Sequence, residues 1–326
     1  MTMNDILSWA VAQDVSELSE FLKKDNHKLL ICFGSGGSTA TCRYLEMMYE
    51  AGGGFAKTVT PYTGCSLPQE TLKSAKLLMI SNSGHGVDIE QMAKYAFSCN
   101  PDNTASFSTD DSDDNKLKKI LKHNFIFAND VEEGFVSTDS NIANFALFYK
   151  AFTGKDAALG DISLDLGGQD FTGIKHIIAI HGPWGEAAAW NLECQMVESG
   201  VATCTVVDFK NFCHGRFIFP ANHSCFRKTP ADCLLVMFVT PREQPLVERL
   251  HKLLPEQIRI VELTSENDSP IATLEFMIKE TQLADKIAAD NGQSLLNPKN
   301  PSGINKHYPR NQAFITDLRN AGPIKL

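Results

Sequence analysis

Four apolar runs, each closed by a turn-forming residue, constrain the fold of this chain more than any other feature of its sequence. They occupy residues 28–34, 76–84, 175–182 and 233–241. Uninterrupted apolar runs of this length are typical of strands that are buried on both faces of a parallel sheet. A stretch with helical spacing follows each run, at 38–50, 87–97, 185–199 and 242–254. Strands that alternate with helices predict βαβ units, and therefore an α/β fold with parallel sheets.

The order of these elements in the first half of the chain recurs in the second half. Each half has a strand, a turn, a helix, a shorter strand and a second buried strand. This repetition predicts two doubly wound parallel-sheet domains in tandem. One helix is expected over 4–24 and a long one over 268–290. The predicted divisions are an N-terminal helix 1–25, a first domain 26–160, a second domain 161–290 and a tail 291–326.

Charge and hydropathy exclude several classes of function. The 326 residues include 30 basic and 39 acidic side chains, a formal charge of −9, with no lysine- or arginine-rich run to bind nucleic acid. No apolar run approaches the ~20 residues that span a bilayer, so no membrane association is expected. The N-terminus lacks the basic start of a secretory signal, and we expect a cytoplasmic protein.

Cysteine and histidine spacing argues against a metal centre. The nine cysteines include no CxxC pair, and no two histidines have the HExxH spacing of a helical metal site. In a cytoplasmic protein, scattered cysteines are usually buried, reduced thiols. We therefore expect neither a metal nor another cofactor.

The first motif that carries chemistry is FGSGGSTAT, residues 33–41. Its glycines let the backbone turn sharply and bring amide groups close to a ligand. Ser38 and Thr39 fall at the start of the predicted helix, where unpaired N–H groups and the positive end of the helix dipole favour an anion. The motif lacks the GK[ST] ending of a Walker loop. By itself it fits a phosphate site and an ordinary helix N-terminus equally well.

The second motif is SNSGHGVD, residues 81–88, which ends the next buried strand. Ser81, Asn82 and Ser83 offer three neutral polar side chains before two glycines, whereas a plain turn needs only one. Together with the first amides of the next helix they form a neutral phosphate cradle. Both motifs end strands of one sheet, where ligands bind at a topological switch point. Their combination therefore predicts an anion site.

The second half contains an acid and a base that could move protons. Glu198 closes the predicted helix 185–199, and His214 precedes a glycine in NFCHGRFIFP. A carboxylate can abstract a proton next to a carbonyl, and a histidine can act on a ring oxygen. Each residue is equally typical of a solvated helix end or of a turn, so the pattern alone leaves the role of each open.

These motifs together resemble the sugar isomerase (SIS) family, especially the isomerase portion of glucosamine-6-phosphate synthase and the fructosamine-phosphate deglycases. The resemblance extends from about Lys28 to Lys306, and the SxSG turn is its most specific element. It implies that the sugar phosphate is held by the side chains of Ser35, Ser38, Ser81, Asn82 and Ser83. It also implies a homodimer of tandem SIS domains.

The same resemblance implies the catalytic residues. Glu198 corresponds to the enolising glutamate of the family, and His214, sixteen positions later, to its ring-opening histidine. The tail segment PSGINK, residues 301–306, resembles the family's C-terminal segment and nominates Lys306 as a third catalytic residue.

This sequence departs from the family pattern at three positions. Gly86 replaces a phosphate-binding hydroxyl, Gln195 replaces a lysine three residues before the glutamate, and Arg216 follows His-Gly where proline is common. The amidotransferase domain with its N-terminal nucleophilic cysteine is absent, so glutamine-dependent amination is not expected.

The function that follows is an enzyme that isomerises a phosphorylated sugar, or removes the amine from a phosphorylated amino sugar, by enolisation. The alternative of a different class is a non-catalytic sugar-phosphate sensor or regulatory binding protein. Lyase action on an acylated amino-sugar phosphate would use similar loops. A helix-turn-helix is not recognisable in the sequence, which argues against a DNA-binding regulator.

Overall fold

The structure is a computed structural model that describes residues 3–129, 136, 139–226, 232–299 and 301, with side chains omitted for 223–226. The described chain divides into two compact units. The first unit contains residues 3–129 and 139–156, and the second contains 157–226 and 232–299. In the described ranges, every helix is too short or too polar to cross a membrane.

The first unit is built on a five-stranded parallel sheet in the order β2-β1-β3-β4-β5. Its strands are β1 Leu29–Phe33, β2 Phe55–Val59, β3 Lys76–Ile80, β4 Thr104–Ser108 and β5 His123–Ile126. Its helices are α1 Met3–Ala12, α2 Ser16–Lys23, α3 Ser38–Ala51, α4 Pro61–Gly64, α5 Gln69–Ser74, α6 Val87–Cys99, α7 Lys116–Ile120 and α8 Asp139–Thr153.

The second unit repeats this topology with a four-stranded parallel sheet in the order β7-β6-β8-β9. Its strands are β6 His176–His181, β7 Thr203–Asp208, β8 Cys233–Val239 and β9 Arg259–Thr264. Its α-helices are α9 Glu186–Glu198, α10 Phe209–Asn211, α11 Ile218–Phe226, α12 Gln244–Leu253 and α13 Pro270–Asp290. In both units the first strand lies between the second and the third.

The apolar runs of the sequence form the central strands, which confirms the predicted α/β class with parallel sheets. Every residue of β3 and of β8 is buried, as expected for strands covered on both faces. The edge strand β2 alternates between exposed and half-buried residues until Val59. In the first unit, α8 lies almost wholly in the core, where Phe145 stacks on Tyr44 with ring centroids 4.4 Å apart.

The prediction of one helix over 4–24 is wrong, because the structure has two helices there. The break follows α1, where Asp14 accepts a hydrogen bond from the amide of Ser16 at 2.9 Å. An aspartate that binds the backbone two residues ahead competes with helix continuation and favours a new start. The long C-terminal helix is confirmed as α13.

Candidate functional site

The two polar motifs of the first half lie side by side at the switch point of the first sheet. Strand β1 pairs in parallel with both β2 and β3, and the chain runs from β1 to β2 on one side before it returns to β3 on the other. The loops 34–37 and 81–86 leave the carboxyl ends of β1 and β3. Open α/β sheets bind ligands in the crevice at this point.

The loop after β3 is held in a fixed shape around Gly84. The amide of Gly84 donates to Ser81 Oγ at 3.2 Å, and its carbonyl accepts from the amide of Lys116 at 3.0 Å. Gly84 has φ of +63°, and a Cβ at this position would collide with Oδ1 of Asn115. Only glycine combines a favourable positive φ with the absence of a Cβ, so the fold itself requires the glycine of the SxSG turn.

The Asn82 side chain points into the protein. Its amide nitrogen donates to Ser140 Oγ at 2.6 Å, and its amide oxygen accepts from Asn144 at 2.8 Å. Its backbone carbonyl accepts from the Ser108 hydroxyl at 2.8 Å. Asn82 therefore ties the loop to α8 and β4, and its predicted contact with phosphate stays a prediction.

Ser38, Ser81 and Ser83 present hydroxyl groups that could donate to a ligand. All three residues are half-buried, and none of their hydroxyls donates a hydrogen bond to any residue that the structure describes. Ser38 is the first residue of α3, and α6 begins four residues after Ser83. In the described chain, the amides of residues 87–89 donate to no acceptor. Two helix N-termini and three hydroxyl groups thus meet at one edge of the sheet, which suits an anion.

Ser35 and Asp88 connect the two loops. The Ser35 hydroxyl donates to Asp88 Oδ2 at 2.8 Å. The other carboxylate oxygen, Oδ1, lies 3.1 Å from the place of a Cβ on Gly86, so a larger residue at 86 would crowd it. This contact gives a physical reason for Gly86 where the family has a hydroxyl. Asp88 was not among the predicted site residues, although an acid at the second position of a helix that follows a glycine turn is a signal that the sequence offers.

Glu198 is the last residue of α9 in the second unit, and its side chain is half-buried. Burial, and secondly the neighbouring Glu193, raise the pKa of Glu198 from 4.5 to about 6. Both causes disfavour the charged form. A base whose pKa lies near neutrality combines a large ionised fraction with appreciable proton affinity, which suits general-base catalysis.

His214 lies at a kink in a helical segment. The structure shows a wide helical turn over Phe212–Arg216, between α10 and α11. Gly215 has φ of +117°, which explains why glycine follows the histidine. The imidazole is exposed and has no hydrogen-bond partner among the residues described. Lys306 lies outside the described residues.

Gln195, which stands where the family has a lysine, is completely buried. Its Oε1 and Nε2 atoms have no hydrogen-bond partner within the described part of the chain. One turn earlier on α9, Asn191 donates to the carboxyl group of Glu280 on α13, which is also fully buried. Burial raises the pKa of Glu280 well above its ordinary value, because it disfavours the charged form of this carboxyl group. Because residue 195 is a glutamine, this position has no amine that could form an imine with a sugar.

In the described ranges, no group of three histidine, cysteine or carboxylate side chains is arranged to hold a metal ion. The first unit thus offers hydroxyl groups and backbone amides, and the second unit offers the Glu198 carboxylate with its raised pKa and the exposed imidazole of His214.

Comparison with known proteins identifies the fold. No protein-family model matches the sequence, and no curated protein matches it. Among solved structures, glucosamine-6-phosphate deaminase from Thermotoga maritima superposes with a TM-score of 0.65 at 14 % identity, over 90 % of this chain and 95 % of that one. The chain has the fold of this protein.

Two further structures share this fold. The C-terminal domain of glucosamine-fructose-6-phosphate aminotransferase from Francisella tularensis gives a TM-score of 0.62 at 12 % identity, over 91 % of this chain and 95 % of that one. Tagatose-6-phosphate ketose/aldose isomerase from Escherichia coli gives 0.62 at 13 % identity, over 92 % and 95 %. The α/β fold with parallel sheets that the SIS resemblance implies is therefore confirmed over nearly the whole chain.

Proposed function

We propose that this protein is a phosphosugar isomerase or deglycase of the SIS family, with two SIS domains in tandem, that acts by enolisation. The observation that carries the proposal is the crevice at the β1/β3 switch point, with its hydroxyl groups and two helix N-termini. The three proteins of the same fold are named for reactions of sugar phosphates or amino-sugar phosphates, which supports the same substrate class here.

The neutral character of the crevice favours a phosphate monoester that must be released again. Hydroxyl groups and amides bind the phosphate oxygens without a permanent positive charge, so binding is specific but reversible. Asp88 adds one negative charge beside the hydroxyl of Ser35, which limits the affinity further.

The proposed chemistry moves one proton between neighbouring carbons. In the open-chain sugar, Glu198 removes the proton from the carbon next to the carbonyl group, and the carbonyl oxygen is protonated to give an enediol or enolamine. The proton then returns to the former carbonyl carbon while the hydroxyl group of the neighbouring carbon loses its proton and becomes the new carbonyl group, which completes isomerisation. In an amino sugar the same step gives an imine, which water hydrolyses to a carbonyl group and ammonia. His214 assists ring opening by proton transfer to the ring oxygen, and Lys306 is the third proposed catalytic residue. Positioned proton transfer contributes about 10²–10⁴-fold in rate.

Phosphate recognition is tested first, by calorimetric titration with phosphorylated and unphosphorylated sugars. Ser83→Ala should weaken the binding of phosphorylated sugars by roughly 1.5–3 kcal/mol, which is the contribution of one hydrogen bond to a charged group. Ser98→Ala is the matched control, because Ser98 is exposed at the far end of α6 and, within the described residues, its hydroxyl bonds only the carbonyl of Tyr95. Equal binding of phosphorylated and unphosphorylated sugars to the unmutated protein would refute the phosphate site.

Catalysis is tested by deuterium incorporation from solvent into a bound sugar phosphate. Glu198→Gln keeps the size of the side chain but removes the base, so exchange should vanish while affinity stays within about tenfold, or 1.4 kcal/mol. Glu248→Gln, an exposed change on α12, is the control. If the unmutated protein binds sugar phosphates but gives neither exchange nor product, the sensor alternative replaces the enzyme. The homodimer that the SIS resemblance implies is tested by sedimentation velocity.

A further inference from the structure

The first unit contains a cavity at the edge of its sheet opposite to the phosphate loops. It has a volume of about 360 Å³ and lies between α2 and the amino ends of β3 and β5. Cavities of this size hold small organic ligands. Its walls include Glu17, Glu20, Phe21, Lys76, His123 and Phe125.

The inner wall of this cavity carries a buried ammonium group. Lys76, the first residue of β3, is 3 % exposed. Its Nζ donates to the carbonyls of Leu22 and Lys24 at 2.9 and 2.8 Å, where it caps the C-terminus of α2. These bonds use two of its three N–H groups. No carboxylate in the described chain forms an ion pair with it, and burial lowers the pKa of Lys76 to about 8.

The Nζ of Lys76 also lies over the rings of Phe21 and Tyr49, 5.1 and 5.3 Å from their centroids, and the charge of Asp25 acts on it without forming an ion pair. These contacts offset only part of the cost of burying the cation, and one N–H group of Lys76 has no acceptor among the described residues. An anionic group in the cavity would satisfy both the charge and the remaining N–H. The cavity therefore favours a ligand with one negative group at its inner end.

Most of the remaining walls are acidic or aromatic, and they also include Lys24 and His123. The side chains of Glu17 and Glu20 are exposed and form no ion pair with any described residue. By contrast, Asp25 and Asp102 at the same cavity pair with Lys28 and Lys122. The rings of Phe21 and Phe125 lie 5.4 Å apart and form an apolar wall. The free glutamates oppose a multiply charged anion and favour an ammonium group.

We propose that this cavity binds a zwitterionic α-amino acid with an apolar side chain. Its carboxylate faces Lys76, its ammonium group faces Glu17 and Glu20, and its side chain packs on Phe21 and Phe125. A sugar phosphate is not a ligand of this site, because its double negative charge would meet the two glutamates. The inference is independent of the chemistry at the switch point.

Calorimetric titration with three probes tests the proposal. L-phenylalanine has all three features, phenethylamine lacks the carboxylate, and 3-phenylpropionate lacks the amine. L-phenylalanine should bind at least about tenfold more tightly than either, a difference of about 1.4 kcal/mol. A sugar phosphate should not displace it. No saturable binding of L-phenylalanine up to about 10 mM, or equal binding of the three probes, overturns the proposal.

Two variants assign the charges. Lys76→Met should abolish binding of L-phenylalanine, but it also removes the cap of α2. The double variant Glu17→Gln/Glu20→Gln changes only exposed groups. It should lower the affinity for L-phenylalanine about tenfold. It should raise the affinity for 3-phenylpropionate, because the two glutamates no longer repel the carboxylate of that probe. Glu50→Gln, an exposed change on α3, should alter neither. If the double variant moves both ligands in the same direction, the assignment of the ammonium group is refuted.

Discussion

The raised pKa of Glu198 leads to a prediction about the pH dependence of proton exchange. If Glu198 is the base, the exchange rate at saturating sugar phosphate follows its ionised fraction. With a pKa of about 6, roughly nine tenths of Glu198 is ionised at pH 7 and roughly one tenth at pH 5. The rate should therefore fall about tenfold between these two pH values. A glutamate with its ordinary pKa of 4.5 would stay about three quarters ionised at pH 5, and the rate would barely change.

The variant Glu193→Gln separates the two causes of the raised pKa. Burial is the larger cause and the charge of Glu193 the smaller, so the variant should remove less than half of the rise from 4.5 to about 6. The pH at which the rate falls to half should therefore move down by less than about 0.8 pH unit. The rate at pH 7 should stay nearly the same.

The substrate needs a control, because the second pKa of a phosphate monoester also lies near 6. Saturating ligand removes the effect of phosphate ionisation on binding, and the Glu193→Gln change cannot alter the pKa of the free sugar phosphate. The assay is deuterium incorporation followed by mass spectrometry from pH 4.5 to 8. If the rate falls to half at pH 4.5, or if Glu193→Gln does not move the pH of this fall, then Glu198 is not a base whose pKa is raised by burial and by Glu193.

Three other outcomes are expected. Asp88→Asn keeps an acceptor for Ser35 but removes a charge, so calorimetry should show up to about tenfold tighter sugar-phosphate binding at low salt and less at high salt. Gly84→Ala should lower the free energy of unfolding in urea by more than the roughly 1–3 kcal/mol that backbone strain alone costs, because its Cβ also collides with Asn115. Gly154→Ala is the control for backbone strain alone, since Gly154 has φ of +68° but open space around a Cβ. The pKa of Glu280 is higher in the folded state than in the unfolded state, so the free energy of unfolding decreases as the pH rises above the unfolded value. Urea unfolding should therefore show a smaller loss of stability between pH 5 and 8 in Glu280→Gln than in the unmutated protein.

The sequence predicted the central strands better than the edges of the sheets and the short helices. Long apolar runs such as the one that becomes β3 can be read locally, because burial on both faces requires every residue to be apolar. A shorter strand was expected between α3 and β3, but the sequence could not place β2, since only Val59 of its five residues is buried. Helix α8 was also missed, because its buried face includes Ser140, Asn141 and Asn144, whose partners lie far away in the sequence.

The candidate site shows the same division. Glycine-rich turns and adjacent serines were enough to predict a phosphate cradle, because parallel strands place their carboxyl ends at one edge. The sequence could not show that the Asn82 amide is bound to Ser140 and Asn144, or that Ser35 donates to Asp88, since these partners are 53 to 62 positions apart. The sequence also could not show that His214 and Gly215 form a kink inside a helical segment.

By itself the sequence determined the class of the fold and the polar character of its first switch point, because hydrophobic period and turn chemistry are local properties of the chain. Only the tertiary structure decided which of the polar side chains are left for a ligand. Ser83 and Asn82 are neighbours of equal polarity, yet the fold binds the amide of Asn82 to α8 and leaves the Ser83 hydroxyl without a partner in the described chain. The pKa of Glu198 was likewise decided by the tertiary structure, because it depends on burial at the end of α9 and on the approach of Glu193. Hydrogen bonding and desolvation depend on what the folded chain brings within a few ångströms, and that information is not local.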